Sequence, residues 1–221
     1  MYLIDKPLQL TSHDVVARVR RITGVKRVGH AGTLDPLATG LLIVLVGRDE
    51  TKQQQKFLTM DKVYEVEITL GATSTTDDAE GTITATGDAG TLTSQDIAAV
   101  FPKFLGQIMQ RPPIFSAVHY KGERAHRLAR QQAIDPLDLP ERVVTIHDIT
   151  LLAWAAPRLR LRVACGHGTY IRSLARDLGK GLGVGGYVSA LRRTQIGSYT
   201  VDQAISLEQL ALNQTIPFQL I

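Results

Sequence analysis

Gly29-His30-Ala31-Gly32-Thr33-Leu34-Asp35-Pro36-Leu37-Ala38-Thr39-Gly40 runs directly into Leu41-Leu42-Ile43-Val44-Leu45-Val46-Gly47. The second half is a continuous apolar run closed by glycine, the pattern of a strand buried on both faces. The first half predicts a glycine-rich loop carrying one carboxylate. Pro36 disfavours the helical region for the residue before it, so Asp35 is expected to be extended, at the lip of the buried strand. Taken alone, this Asp-Pro has two readings. It is a turn residue hydrogen-bonded to its own loop, or it is a catalytic acid, base or nucleophile on a rigid scaffold.

The 221 residues suffice for one large domain, or one domain with an embellishment, around a sizeable core. The longest apolar run, 41–46, is far shorter than a membrane span. The N-terminal Met1-Tyr2-Leu3-Ile4-Asp5-Lys6-Pro7 lacks the basic-then-apolar layout of a signal peptide. Cys165 is the single cysteine, which excludes a disulfide framework and a cysteine-based zinc site. In its apolar strand it reads as a small core residue. A cytoplasmic protein without membrane association is expected. The formal net charge of +4 matters less than its distribution. Basic residues gather at Arg18-Arg21, at Lys26-Arg27, at Lys121-Arg130, at Arg158-Arg162 and at Arg172, Arg176, Arg192 and Arg193. Acids gather at Asp77, Asp78 and Glu80. The net charge alone is weak evidence for a polyanionic partner, and the clustering of the basic residues is the more telling sign.

Thr11 with Asp14 resembles a capping box, followed by Val15, Val16, Val19 and Ile22 on one helical face and a stop at Gly24. Residues 62–71 alternate as a strand, with Val63 out of phase and a bulge or strand entry expected near Tyr64. Residues 74–81 read as a loop whose spacing does not match a calcium loop, and 82–86 as a strand. Thr93 with Asp96 caps a helix that Pro102 kinks or restarts. Pro112 and Pro113 exclude a central strand and mark the approach to an insertion. There 122–132 is expected to be a basic helix, with 142–152 returning as strand. Arg158, Arg160 and Arg162 alternate with Leu159, Leu161 and Val163, and three aligned guanidinium groups repel one another unless an anion lies near. A turn at 165–169 leads into a helix over 170–179 stopped by Gly179, and its glycine-rich start suits a phosphate or carboxylate. Ser206 with Gln209 reads as a final capping box. Strands and helices interleave irregularly, so the class is α+β with a mixed or antiparallel sheet.

The stretch from Gly29 to Leu42 resembles the signature of the TruB family of tRNA pseudouridine synthases. Further motifs follow in that family's order: Asp5-Lys6-Pro7, Lys62-Val63-Tyr64, Thr76-Asp77-Asp78-Ala79-Glu80-Gly81, Pro112-Pro113 with Ser116-Ala117, Gly168-Thr169-Tyr170-Ile171-Arg172, and Leu191-Arg192-Arg193. The resemblance covers residues 2–207. It implies the pseudouridine synthase fold, a mixed central β-sheet flanked by helices and loops, with an RNA-clasping insertion at about residues 111–142 of a 1–221 catalytic domain. Two departures stand out. The chain has little room before Ile221 for the complete C-terminal PUA domain common in bacterial members. His126 or its neighbours occupy the place of a tyrosine often found in the insertion helix.

By that resemblance, the chain isomerises the uridine at position 55, in the T-loop of tRNA. The N1–C1′ bond breaks, the base turns, and C5 joins the sugar. No redox change or group transfer occurs, so no cofactor, ATP or metal is implied. Asp35 matches the catalytic aspartate, with C1′, C6 or a proton as its first target. Arg172 is expected to pair with it; a neighbouring guanidinium lowers a carboxylate pKa by roughly 1–3 units. Tyr64 matches the tyrosine that stacks on the target base, Tyr170 and Leu191 further pocket residues, and His30 the residue that fills the gap left by the extruded base. In isolation Tyr64 reads as a sheet aromatic, Arg172 as a surface helix residue, Leu191 as core and His30 as a loop histidine. Only their joint occurrence with the Asp35 loop overturns those readings. The expected partner is tRNA through its T-arm, with a monomer and no obligate protein partner. The alternatives are a catalytically silent RNA-binding or tRNA-folding module, a guide-RNA-dependent synthase working in a particle and, more remotely, a hydrolase using Asp35.

Overall fold

The apolar run at 41–46 is buried because hydrogen-bonded neighbours flank it on both edges and helices cover both faces. The computed structural model describes residues 1–131, 133–135 and 138–215. In chain order the elements are β1 (Tyr2–Lys6), α1 (Ser12–Thr23), β2 (Val28–Ala31), β3 (Ala38–Val46), α2 (Arg48–Lys52), α3 (Gln54–Leu58) and β4 (Lys62–Leu70). Next come β5 (Ala72–Ser74), β6 (Ile83–Ala85), α4 (Ser94–Val100), β7 (Gly106–Gln110), β8 (His119–Tyr120), β9 (Glu123–Arg124) and α5 (Ala125–Arg130). The chain continues with β10 (Arg142–Ala155), β11 (Arg158–Cys165), α6 (Ile171–Gly181), β12 (Gly186–Ile196), β13 (Tyr199–Thr200) and α7 (Leu207–Thr215). Two compact units result: Met1–Tyr64 with the chain from Leu191 onward, and Glu65–Ala190.

In the first unit β3 pairs antiparallel with β1, from Tyr2 opposite Val44 to Lys6 opposite Gly40. Its other edge takes β12 in parallel, Leu191 opposite Ala38 and Arg193 opposite Gly40, and then β2 antiparallel, Ala31 opposite Ile43. The sheet is therefore mixed. Leu42 and Val44 face one core with Val15, Val16 and Val19 of α1 and Leu210 of α7. Leu41, Ile43 and Leu45 face a second core with Phe57 of α3 and Ile196. Each such side chain contributes about 1.5–3 kcal/mol on full burial, which explains a run with no polar alternation. Both expected capping boxes on long helices form here: Thr11 with Asp14 before α1, closed by Gly24 at φ 68°, and Ser206 with Gln209 before α7.

In the second unit the strand order is β4–β11–β10–β7. Both pairings of β10 are antiparallel, with Arg142 opposite Gln110 where β7 ends. Hairpin β5–β6 and helices α4 and α6 complete it. Between β7 and β10 lies the proline-marked segment. It carries the β8–β9 hairpin, α5 and a small core of Val118, Ala125 and Leu139. Residues 132, 136 and 137, the His126 side chain and the chain end at Ile221 lie outside the described part, and so do the expectations made there. No helix among the described residues is long and apolar enough to cross a membrane.

Several local expectations are corrected. The loop predicted over 29–40 is shorter, because Val28–Ala31 forms β2 against β3 and residues 32–37 alone make the turn. Of the two alternatives near Tyr64, the strand entry fits: β4 begins at Lys62, and Lys62, Tyr64, Val66, Ile68 and Leu70 are buried in strict alternation with Val63 on the other face. Lys62 tolerates that burial because its Nζ donates to the carbonyls of Leu58 and Met60, at 2.6 and 2.5 Å. The basic helix predicted over 122–132 shortens to α5, because Lys121 and Gly122, at φ 49° and 86°, turn the β8–β9 hairpin first. Gly179 does not stop α6, which continues to Gly181. A Cβ on Gly179 would sit 2.2 Å from the Gly186 backbone nitrogen, so this glycine serves a close approach of the chain. On β11 the alternation holds, and the anions beside two of its three arginines are carboxylates of the same unit. Arg160 lies 3.9 Å from Glu65, and Arg162 lies 3.5 Å from Asp148.

Candidate active site

Asp35 sits in the turn that joins β2 to β3, half-buried, one residue before Pro36. Four bonds fasten the main chain around it. The Ala38 N–H donates to the Asp35 carbonyl at 3.0 Å, closing a turn with proline at its second position. The fully buried Ser12 hydroxyl accepts from the Leu34 N–H at 2.8 Å and donates to the Leu34 carbonyl at 3.0 Å. The Gln9 N–H donates to the Pro36 carbonyl at 2.9 Å. Gln9 reaches that position in a left-handed conformation, φ 68°. The loop bearing it is gripped by buried Lys6, whose Nζ donates to the carbonyls of Pro7 (2.9 Å) and Leu10 (2.6 Å). The carboxylate thus projects from a backbone held on either side, the rigid support that a reacting group requires.

The other wall of the turn is Arg193. Its buried guanidinium donates from Nε to the Leu41 carbonyl at 2.8 Å and from Nη2 to the Gly32 carbonyl at 3.0 Å. Gly40 allows this approach: at φ 99°, a Cβ there would lie 2.3 Å from the Arg193 carbonyl oxygen. Next to it, Arg192 forms a two-pronged bond with Asp5, Nη1 to Oδ1 at 3.0 Å and Nη2 to Oδ2 at 2.8 Å. The Asp5-Lys6-Pro7 and Leu191-Arg192-Arg193 motifs, nearly the length of the chain apart, are therefore parts of one support for the Asp35 turn. Ser12, Gln9 and Arg193 were not singled out from the sequence as site residues. No spacing rule links Ser12 to a partner 22 positions on. Replacing Ser12 by Ala strands the Leu34 N–H. We expect a loss of about 1–3 kcal/mol in urea denaturation; an unchanged midpoint would show the bond to be dispensable.

His30, Tyr64 and Leu191 belong to the same unit. Tyr64 is on the buried side of β4 and Leu191 starts the parallel pairing with β3. Both are buried, consistent with packing roles. His30 lies on β2, with its carbonyl accepting from Gln54 Nε2 at 2.7 Å. Its ring meets His13 edge-on at 5.4 Å between centroids, and its Nδ1 is buried without a hydrogen-bond partner among the described residues. Burial pushes the imidazole down from 6.5 to about 4, helped by His13 and Arg193. The folded protein thus holds His30 neutral, while the unfolded chain takes up a proton as pH falls below its ordinary value. Between those two values the unfolded state binds more protons, so stability falls as pH falls. The effect is of order 2 kcal/mol once solvent screening is allowed for. Urea midpoints followed from neutral pH down to the folded value of about 4 should decline less steeply in His30→Asn than in wild type. Parallel profiles would refute this assignment.

Tyr170 and Arg172 lie in the second unit. Tyr170 is the residue before α6, and its backbone is clamped by Gln110. Arg172, 5% exposed, donates from Nη1 to the Thr76 carbonyl (3.0 Å) and from Nη2 to the Phe115 carbonyl (2.9 Å). It also forms an ion pair with Asp78 at 3.4 Å. Asp78, 2% exposed, accepts at Oδ1 from the Thr76 hydroxyl (2.6 Å) and the Glu80 N–H (3.0 Å). One helical turn on, Arg176 donates to Asp77 at 2.9 Å. Burial raises the Asp77 carboxyl above its usual range, even with Arg176 beside it. The acidic loop 74–81 is thus a counter-charge for α6. Spacing along the sequence does not reveal this, because the partners are almost a hundred residues apart.

The matches to known proteins bear directly on this geometry. A model described as TruB family pseudouridylate synthase, N-terminal domain, matches residues 20–171. One described as tRNA pseudouridylate synthase B C-terminal domain matches residues 172–216. The tRNA pseudouridine synthase B of Thermobifida fusca (strain YX) is 48% identical over 222 residues, covering 97% of this chain and 75% of its own length. That of Synechococcus sp. (strain WH7803) is 49% identical over 209 residues, covering 94% and 68%. A chain from a crystal structure of a Cbf5–Nop10–Gar1 complex matches with a TM-score of 0.74 and 31% identity, over 95% of this chain. This chain spans 53% of that one. The protein belongs to the TruB family of pseudouridylate synthases, and its mixed sheet with flanking helices is the fold of that family.

Proposed function

We propose that this protein converts uridine to pseudouridine in tRNA, at position 55 of the T-loop, with Asp35 as the catalytic residue. The observation that carries the reading is the Asp35 turn: in a chain of this family, one carboxylate stands on a backbone fixed at Leu34, Asp35 and Pro36. The reaction is an isomerisation. The N1–C1′ bond breaks, the uracil rotates, C5 bonds to C1′, the C5 proton leaves and N1 acquires one. Asp35 supplies the carboxylate at the sugar or the base. Extruding the uridine costs a few kcal/mol, and stacking on Tyr64 returns on the order of 1–3 kcal/mol. Leu191 packs the base, and neutral His30 occupies the space that it vacates. Tyr170 and Arg172 are assigned to binding the substrate.

The segment at about 111–142 is assigned to clasping RNA. Lys121, Arg124, Arg127 and Arg130 supply phosphate contacts, each adding about −0.7 to the log–log salt slope on single-stranded RNA. Recognition rests on loop shape, because A-form grooves are poorly readable. The protein is read as a cytoplasmic monomer acting on bare tRNA, without guide RNA or protein partner. The test is a tRNA transcript tritiated at uridine C5. Stoichiometric release of label to water supports the enzyme. Retention of label on bound tRNA would replace it with a tRNA-folding module, and release confined to transcripts lacking uridine 55 would refute the position.

A further inference from the structure

The inserted segment leaves β7 at Gln110 and rejoins the sheet at Arg142, the residue facing it in register. Its outgoing limb is stitched to the start of α6. Gln110, 1% exposed, accepts the Tyr170 N–H at Oε1 (2.8 Å) and donates from Nε2 to the Tyr170 carbonyl (3.1 Å), so one side-chain amide imitates a strand partner. Tyr170 has no side-chain cap on α6. The amide that grips it therefore sets the direction in which the helix begins, and Arg172 follows two residues later. The next carbonyl, that of Arg111, accepts from Ser173 Oγ at 2.8 Å and from Arg176 Nη2 at 3.0 Å.

The Arg111 side chain points to the other limb. Its Nη1 donates to the Leu139 carbonyl at 3.0 Å, and its Nη2 meets Glu141 Oε1 at 3.1 Å. One residue thereby closes the neck of the insertion through its guanidinium while its main chain is tied to α6. Tyr170 also packs against the insertion's core of Val118, Ala125 and Leu139. A shift of the insertion therefore pulls on Tyr170 through both main chain and side chain. Buried backbone groups that lose their partners are costly, so the two move together.

We propose that Gln110 and Arg111 form a latch coupling the seating of the insertion on tRNA to the placement of Tyr170 and Arg172, with Gln110 as a positioning residue for the isomerisation. The proposal rests on the pseudouridine synthase reading. Its test is single-turnover tritium release with enzyme in excess, where the rate constant reports positioning and the amplitude reports the folded fraction. Gln110→Leu keeps the apolar bulk and removes both bonds. Its rate constant is expected to fall about 10- to 100-fold at full amplitude, with tRNA affinity unchanged. Gln110→Glu keeps the acceptor for the Tyr170 N–H but opposes a carboxylate to the Tyr170 carbonyl, and should fall between. An unchanged rate constant, or a loss confined to amplitude or affinity, overturns the latch. Should Gln110→Leu not fold, the rate constant of Gln110→Glu decides: a reduced value supports the latch and a wild-type value overturns it. A wild type that releases no tritium refutes the functional reading instead.

Discussion

Asp35→Asn is expected to lower the rate of tritium release by at least about 10³-fold while tRNA remains bound. The substitution preserves the size and shape of the side chain and removes its charge, its basicity and its nucleophilicity. The four bonds that shape the turn are made by backbone groups of Leu34, Asp35 and Pro36, so they survive in the variant. The backbone support of the turn is therefore independent of the charge on the Asp35 side chain. A melting temperature near wild type with tRNA bound and no label released is the expected combination. Activity within tenfold of wild type would remove Asp35 from the chemistry.

The second large effect concerns stability. Asp78→Ala breaks a buried ion pair with Arg172 and strips the loop of the acceptor used by the Thr76 hydroxyl and the Glu80 N–H. Removing one partner from a buried pair costs about 3–5 kcal/mol. Domains are stable by only about 5–15 kcal/mol, so much of the margin goes. Asp78→Asn should cost distinctly less, because the amide oxygen still accepts from Thr76 and Glu80. Urea denaturation of the three proteins gives the order directly. A loss below about 1 kcal/mol in Asp78→Ala would show the pair to be peripheral. The contrast with Asp35 is physical: Asp78 is spent on holding an arginine and a loop, whereas Asp35 stands on a turn that others hold.

How much could be read beforehand differs from element to element. Local patterns were legible where neighbours in sequence carry the energy. The capping boxes at Thr11 and Thr93 formed as expected because donor and acceptor lie three residues apart. The alternation of Arg158–Val163 placed Leu159, Leu161 and Val163 inside without help from any partner strand. The 41–46 run announced a strand buried on both sides for the same reason: no other arrangement removes that many consecutive apolar side chains from water. Errors fell where tertiary contact outweighs local pattern. Gly29, His30 and Ala31 look like loop, yet the free edge of β3 recruits them as β2. Gly179 looks like a helix stop, yet it is a contact point for the backbone at Gly185 and Gly186.

The amino-acid sequence by itself determined the family, the α+β class, the buried strand and the carboxylate at its lip. These reside in short motifs whose residue types are demanded by chemistry or by local geometry. Only the tertiary structure decided what holds that carboxylate and its neighbours. Ser12 on Leu34, Gln9 on Pro36, Arg193 on Gly32, Asp78 on Arg172 and Gln110 on Tyr170 join positions from 22 to 161 residues apart. Such bonds leave no periodicity in the chain, because a buried polar group is satisfied by whichever partner the fold delivers.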